Sequence, residues 1–380
     1  MNYSPGGYYQ PPENNNYQNN QSWNHSPKPP HFVPSEVWSR EKNIIRKLSA
    51  ISSVSILLYI FFSAIFVGAI QLLFVLLQNI KSIDYNLFSE KWNSAEFQYV
   101  FEIIYSVLIV GGPFFLAGKF AKKKGLLFNI PMEKPKNAKH LPIIIFAAFG
   151  LCLLGNIITS YVDVIVQLIF GFELKLPEMP ETPHSVGGIL LFYLSTAVVP
   201  ALIEEMALRG IIMQTLRRYG DMFAIVCSAL IFGLMHCNLM QIPFAFIAGI
   251  VIGYAVLVTE SVWTGVIIHF LNNAFTVTVS IVDDFYGIES EAYALCNIAF
   301  NVFILIGIVL TVIYFKKFNT EKPHKSPLVN TGKDFYGYVP MFSERISNGT
   351  LFKTFLLTPT MIVAFIAVIY ETIVATIAMS

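Results

Sequence analysis

Long hydrophobic blocks alternate with short polar segments along the chain. A helix that crosses the hydrocarbon core of a bilayer needs about 20 predominantly apolar residues, and most of the blocks reach that length. They predict nine spans, or eight if the short fifth and sixth blocks, separated only by residues 238–242, do not both cross. The predicted spans are 49–77, 98–118, 142–170, 187–216, 222–240, 243–259, 262–282, 293–315 and 353–378. The expected fold is all-α, a polytopic bundle of transmembrane helices.

The N-terminal segment, residues 1–35, lacks any hydrophobic block. It contains seven Asn, seven Pro and four Tyr, a composition that cannot bury enough apolar surface to offset the entropy of ordering. The segment also lacks the basic start and apolar centre of a signal peptide. We therefore expect it to stay on the protein as a disordered tail.

The distribution of lysine and arginine predicts the orientation in the membrane. Cytoplasmic loops carry an excess of these residues, and the basic loops alternate with acid-rich loops when nine spans are counted. The basic segments contain Arg40, Lys42, Arg46 and Lys47, then Lys119 and Lys122 to Lys124, then Arg217 and Arg218, then Lys316 and Lys317. Nine spans place the N-terminus in the cytoplasm and the C-terminus outside. The Asn- and Ile-rich composition with short basic loops favours a bacterial plasma membrane.

Composition narrows the function classes further. The chain is 55% hydrophobic and 13% charged, whereas soluble domains carry about 25% charged residues. The net charge of +1 comes without a basic patch, so nucleic acid is not an expected partner. Four cysteines without paired short spacing argue against a disulfide framework or a zinc knuckle.

Three ionisable residues lie within six positions of the fourth predicted span. They are Glu204, Glu205 and Arg209. Charged groups are costly in hydrocarbon and commonly mark function there. Residues four apart share a helix face, so Arg209 can neutralise Glu205, while Glu204 points about 100° away and stays free.

Further polar residues interrupt two later apolar segments. His236 lies within the fifth predicted span, four residues after Phe232, and His269 and Asn273, four residues apart, share one face of the seventh. A free carboxylate near imidazole and amide groups can activate water and stabilise an oxyanion. Glutamate and histidine are also zinc ligands, although no His-Glu-x-x-His pattern is present.

At these residues the sequence resembles the CAAX-processing and bacteriocin-processing (CPBP, or Abi) intramembrane peptidases. That family is characterised by Glu-Glu-x-x-x-Arg, Phe-x-x-x-His and His-x-x-x-Asn on separate transmembrane helices, and the chain has all three in that order. Gly210 follows the arginine, as is common in the family, and Leu208 stands where many members have Phe. The resemblance covers residues 187–282, a quarter of the chain.

The resemblance implies an intramembrane endopeptidase in which a glutamate activates the attacking water. Glu204 would be the general base, and His236 would help to position the water. His269 and Asn273 would stabilise the oxyanion, and Arg209 would hold the second glutamate in place. The implied partners are a membrane-associated peptide or protein substrate and the lipid bilayer. Substrate identity and oligomeric state stay open.

The family is often described as metalloproteases, which leaves a metal-bound alternative. Zinc would be the cofactor, and Glu204, His236 and His269 would be its ligands. The resemblance also divides the chain into the cytoplasmic tail, a three-span region at 36–186, a catalytic core at 187–282 and a two-span region at 283–380.

Two other functions are open on sequence grounds. A non-catalytic immunity or scaffold protein could share the fold, although it has no need of a free membrane carboxylate. A proton- or cation-coupled transporter could use the same residues as a relay, although no repeated halves with interrupted helices are evident. Outside the motifs, Glu102 and Asp163 are expected near the interface, and Glu371 in the last span has no assigned role.

Overall fold

The computed structural model describes most of the chain. The described residues are 35–80, 84–127, 129–136, 138–171, 173–174, 180–318 and 347–379. The predicted disordered tail lies outside them, except for its last residue. The chain divides between Glu41 and Lys42, and the candidate site and its surroundings belong to the described residues from Lys42 onward.

Helices make up all the regular structure of the described residues, which confirms the predicted all-α fold. In chain order they are α1 Ser35–Gln78, α2 Tyr85–Asn93, α3 Ala95–Lys123, α4 Leu141–Phe170, α5 Val186–Tyr219, α6 Asp221–Leu234, α7 Gln241–Thr259, α8 Val262–Tyr286, α9 Glu291–Lys317, α10 Asn348–Leu356 and α11 Pro359–Met379. Helix α2 lies in a segment for which we predicted no element.

Within the described residues, eight helices are long and apolar enough to cross a membrane. The predicted fifth span, 222–240, is the exception, because α6 has only 14 residues. At about 1.5 Å per residue it extends roughly 21 Å, which is shorter than a hydrocarbon core of about 30 Å. Candidate spans within the described residues therefore number eight, the smaller of the two predicted counts. The predicted orientation, with the N-terminus in the cytoplasm and the C-terminus outside, rests on nine spans and is not tested by the structure.

The last predicted span, 353–378, is divided into α10 and α11. The two helices are separated by Leu357 and Thr358, and Pro359 begins the second. Proline has no N–H to donate and disfavours helical conformation in the residue before it. It is well tolerated in the first turn of a helix. The apolar run of the sequence hides this break, because hydropathy does not register backbone geometry.

Helix α5 is at the centre of the arrangement and packs against α3, α6 and α8. Its turns widen to π-helical geometry at Leu194–Val198 and again at Met206–Ile212. Such wide turns are frequent at functional sites. The first one ends two residues before Pro200, which cannot donate a hydrogen bond to the carbonyl of Thr196. Helix α5 thus continues through a proline, with an altered register around the glutamates.

Candidate functional site

The glutamate pair of α5 lies where its central α-helical segment, Val199–Glu205, passes into the second wide turn. Arg209 Nη1 donates to Glu205 Oε1 at 2.6 Å, and both side chains are at most 1% exposed. This is the ion pair that the sequence spacing predicted. Glu204 has no part in it and keeps 16% of its side-chain surface exposed. The two neighbouring carboxylates therefore differ in access, and only Glu204 can be reached.

Arg209 is held from three helices. Besides Glu205, its guanidinium donates from Nη2 to the carbonyl oxygen of Gly249 in α7 at 3.3 Å. The guanidinium carbon also lies 4.6 Å from the centre of the Phe232 ring in α6, a cation–π distance. A buried guanidinium is costly unless it is paired and hydrogen-bonded. The spacing of residues along the chain does not predict the contacts of Arg209 with Phe232 and Gly249.

Glu205 also holds a histidine. His269 Nδ1 donates to Glu205 Oε1 at 2.9 Å, so one carboxylate oxygen accepts from two cationic or polar groups. The other oxygen, Oε2, has no hydrogen-bond partner among the described residues and lies beside Gly265. A Cβ atom at that glycine would be 2.8 Å from Oε2. Glycine therefore leaves the space that the carboxylate occupies.

The hydrogen bond to Glu205 decides which ring nitrogen of His269 is available. Because a carboxylate accepts, Nδ1 carries a hydrogen in either charge state of the ring. The second nitrogen, Nε2, lies 3.8 Å from Glu204 Oε2. That separation exceeds a direct hydrogen bond and leaves a small gap between the two atoms. Glu204 and His269 face each other across this gap, and Glu205 fixes the imidazole from behind.

His236 lies in the turn that follows α6. Its Nδ1 is 2.8 Å from the carbonyl oxygen of Phe232, and since a carbonyl only accepts, Nδ1 is the donor. The Phe232 ring centre is 5.1 Å from that of His236 and 5.7 Å from that of His269. One phenyl ring therefore contacts both imidazoles and the guanidinium. The phenylalanine of the second motif is a packing centre of the site.

Asn273 links α8 to α5. Its Nδ2 donates to the carbonyl oxygen of Thr196 at 3.1 Å, the acceptor that Pro200 leaves without an N–H partner. Its Oδ1 accepts from Asn272 Nδ2 at 3.3 Å. The amide nitrogen carries two hydrogens, so one remains for another acceptor. The sequence predicted an oxyanion donor at Asn273, and the structure adds this helix-linking hydrogen bond.

The predicted zinc ligands were Glu204, His236 and His269. Both histidines donate from Nδ1 and leave Nε2 available, as metal-bound histidines commonly do. However, no group of three or more His, Cys, Asp or Glu side chains within the described residues comes together as a metal site. The residues as placed do not fit a zinc centre, and no catalytic step is assigned to a metal. All four cysteines are free.

Glu371, which had no assigned role, lies beside the site. It lines a cavity of about 230 Å³ together with Tyr59 and Cys237. Cys237 directly follows His236 and has a backbone φ of 47°, a conformation that costs energy in residues other than glycine. The first and last spans therefore bring polar groups close to the motif residues, which no local pattern indicated.

The two acids expected near the interface have local partners. Glu102 of α3 lies near Ser195 of α5. Asp163 of α4 accepts from the backbone N–H of Leu174 at 2.8 Å. Neither contact involves a motif residue.

Comparison with known proteins gives two matches. Residues 186–275 match the family model described as type II CAAX prenyl endopeptidase, Rce1-like, and this segment contains all three motifs. The membrane-embedded CAAX protease MroQ of Staphylococcus aureus (strain USA300) is 25% identical over 193 residues, which is 47% of this chain and 76% of that protein. No solved structure is detectably similar to the chain.

Proposed function

We propose that the chain hydrolyses a peptide bond in or next to the membrane with water activated by Glu204. Residues 186–275 match the CAAX protease family that the three motifs predicted. Family membership supports intramembrane proteolysis. The observation that carries the specific chemistry is the pair of facing atoms, Glu204 Oε2 and His269 Nε2, 3.8 Å apart.

The charges of the buried groups suit this role. Glu205 is engaged by Arg209 and His269, which leaves Glu204 as the carboxylate that can take a proton. With His269 protonated, two carboxylates and two cations sum to zero charge. A balanced set costs far less to bury than an unpaired charge. In that state His269 Nε2 carries a hydrogen that points towards the gap.

The reaction then proceeds by general base catalysis. The oxygen of a water attacks the peptide carbonyl carbon as Glu204 removes one proton from that water. The developing oxyanion accepts from His269 Nε2 and from the remaining N–H of Asn273. The carbon–nitrogen bond breaks when Glu204 delivers the proton to the leaving nitrogen, which yields a carboxylic acid and an amine. Nε2 of His236 helps to position the water.

The substrate class follows from location and family. The first and third motifs lie on helices long and apolar enough to cross a membrane, and the second lies on the shorter helix α6 and the turn after it. A peptide or protein anchored at the bilayer can present its backbone there, and the matched family is described as acting on CAAX prenyl substrates. We assign this chain a membrane-associated peptide substrate, without a commitment to its lipid group.

The test is turnover of a membrane-anchored fluorogenic peptide by the purified full chain in nanodiscs. Glu204→Gln keeps the size of the side chain and removes the base, so activity should fall about 10²- to 10⁴-fold, the contribution typical of general acid–base catalysis. Glu289→Gln, in an exposed loop, is the matched control and should retain wild-type turnover. Undiminished cleavage by Glu204→Gln would eliminate the mechanism.

The same assay separates the alternatives. Absence of cleavage by the wild type, across a library of anchored peptides, would favour a scaffold or a transporter. Loss of cleavage after chelation, with recovery on adding zinc, would replace the glutamate mechanism by a metal-dependent one.

A further inference from the structure

A deep cavity separates part of α1 from α3. Its volume is about 690 Å³, and its lining residues are apolar apart from Ser55 and two lysines, Lys47 and Lys124. It is distinct from the candidate site, because none of the motif residues lines it. A hydrophobic cavity with cationic groups suits a ligand that has an apolar body and an anionic head.

The two lysines lie at the same end of this cavity. Helices α1 and α3 run antiparallel, as two contacts show: Ser63 hydrogen-bonds to Tyr105 at 2.8 Å, and the rings of Phe66 and Phe101 stack at 4.9 Å. As the residue number rises on α1, that of its neighbour on α3 falls. Lys47 on α1 therefore lies beside the end of α3, which Lys124 follows.

The depth of the cavity matches one leaflet of a bilayer. Between the lysines and the far end of the cavity, the lining spans twelve residues on α1, from Lys47 to Leu58, and twelve on α3 and its end, from Lys124 to Pro113. Ile44 and Leu126 line the cavity beyond the lysines. Each stretch is roughly 16 Å long at 1.5 Å per residue. Half of a hydrocarbon core of about 30 Å is roughly 15 Å. An acyl chain can thus follow the cavity from the lysines towards mid-membrane.

Both ammonium groups are available at the opening. Neither Lys47 nor Lys124 has an acidic partner in the part of the chain that the structure describes, and Lys124 Nζ lies 5.7 Å from the centre of the Phe120 ring on the cavity wall. Lys122 and Lys123 add positive charge nearby. Basic pockets between transmembrane helices bind anionic lipid head groups.

We propose that this cavity binds one anionic phospholipid, with its phosphate between Lys47 and Lys124 and one acyl chain between α1 and α3. The site does not depend on the proposed peptidase chemistry. It commits to a phospholipid, since a free phosphate ion would leave the apolar depth of the cavity unused.

The bound lipid would support the catalytic span from behind α3. Gly111 and Gly118, seven residues apart, face α5, where Cβ atoms would lie 2.7 Å from Ile203 Cγ2 and 2.8 Å from Ile211 Cδ1. The cavity is lined by the opposite face of α3. Ile203 directly precedes the glutamate pair. A lipid that fills the cavity therefore presses α3 towards α5 and should raise the thermal stability of the fold.

The experiment uses the purified full chain in a neutral detergent, with phosphatidylglycerol binding followed by native mass spectrometry and thermal unfolding. The wild type should bind one phosphatidylglycerol in preference to phosphatidylcholine and gain stability. In Lys47→Ala/Lys124→Ala the dissociation constant should rise at least tenfold. Lys122→Ala/Lys123→Ala, which changes charge by the same amount outside the cavity, should stay within about twofold of wild type.

Two further arms make the result decisive if the alanine variant folds poorly. Lys47→Arg/Lys124→Arg should retain binding, and Ala117→Phe should weaken it by filling the apolar part while both lysines remain. Inorganic phosphate should neither stabilise the protein nor displace the lipid. Retained affinity in Lys47→Ala/Lys124→Ala, equal loss in Lys122→Ala/Lys123→Ala, or displacement by phosphate would each overturn the proposal.

Discussion

Replacing Gly265 with alanine puts a methyl group against the Glu205 carboxylate, which holds His269. The added Cβ atom would lie 2.8 Å from Glu205 Oε2 and 2.8 Å from Val256 Cγ2. Non-bonded contacts of carbon are comfortable at about 3.3–4.0 Å, so the carboxylate or the helix must retreat by roughly 0.5–1 Å. Glu205 has little freedom to do so, because Oε1 is held by Arg209 and His269 at 2.6 and 2.9 Å.

The expected loss of activity is similar in free energy to the loss of stability, because a tenfold fall in rate corresponds to about 1.4 kcal/mol. Overpacking of a well-filled interior costs about 1–3 kcal/mol, which lowers the melting temperature but permits folding. A displacement of about 1 Å in a positioning group can cost on the order of 10²-fold in rate. Moving Glu205 turns His269 away from Glu204, so we expect kcat of Gly265→Ala to fall between 10- and 100-fold, by that same argument.

The assay is turnover of the anchored peptide, together with thermal unfolding of the same preparation. Gly68→Ala is the matched control, since a Cβ atom at this position of α1 would have nothing within 4 Å, and it should leave both measurements near wild type. Wild-type kcat in Gly265→Ala, with normal stability, would show that the position of the Glu205 carboxylate does not matter. That result would refute the proposed link from Glu205 through His269 to the base.

Three further perturbations examine other contacts. Arg209→Lys removes the two-pronged donor that binds Glu205 and a backbone carbonyl, so turnover should fall at least tenfold with the charge unchanged; wild-type turnover would mean that charge alone suffices. Asn273→Ala should lower the unfolding free energy by about 1–3 kcal/mol by orphaning the Thr196 carbonyl. In the double variant Asn273→Ala/Pro200→Ala, residue 200 regains an N–H, so much of that stability should return, although the oxyanion donor stays lost. If the losses of unfolding free energy in the two single variants simply add in the double variant, that result would count against the contact between Asn273 and the Thr196 carbonyl. Chelation should leave turnover unchanged in a protein without bound metal, whereas a stoichiometric metal with activity lost on removal would contradict the glutamate mechanism.

Local spacing predicted much of the fold and part of the site. Apolar length alone identified the membrane helices, because a bilayer imposes about 20 residues per helix. The pairing of Glu205 with Arg209 also followed from sequence, since helix geometry brings residues four apart together whatever surrounds them. Hydropathy missed the early end of α6 and the break before Pro359, because both depend on backbone geometry within an apolar run.

Residue spacing along the chain was enough to identify a helical membrane protein, and to identify Glu204 rather than Glu205 as the carboxylate free of the arginine. That Glu205 also holds His269, 64 positions away along the chain, became visible only in the folded arrangement of the helices. Only this arrangement placed Phe232 against both histidines, joined Asn273 to the carbonyl that a proline frees, and opened a lysine-capped cavity between α1 and α3. Spacing within one helix follows from a fixed 3.6-residue turn, whereas contacts between helices depend on which faces pack together, and no local pattern carries that information.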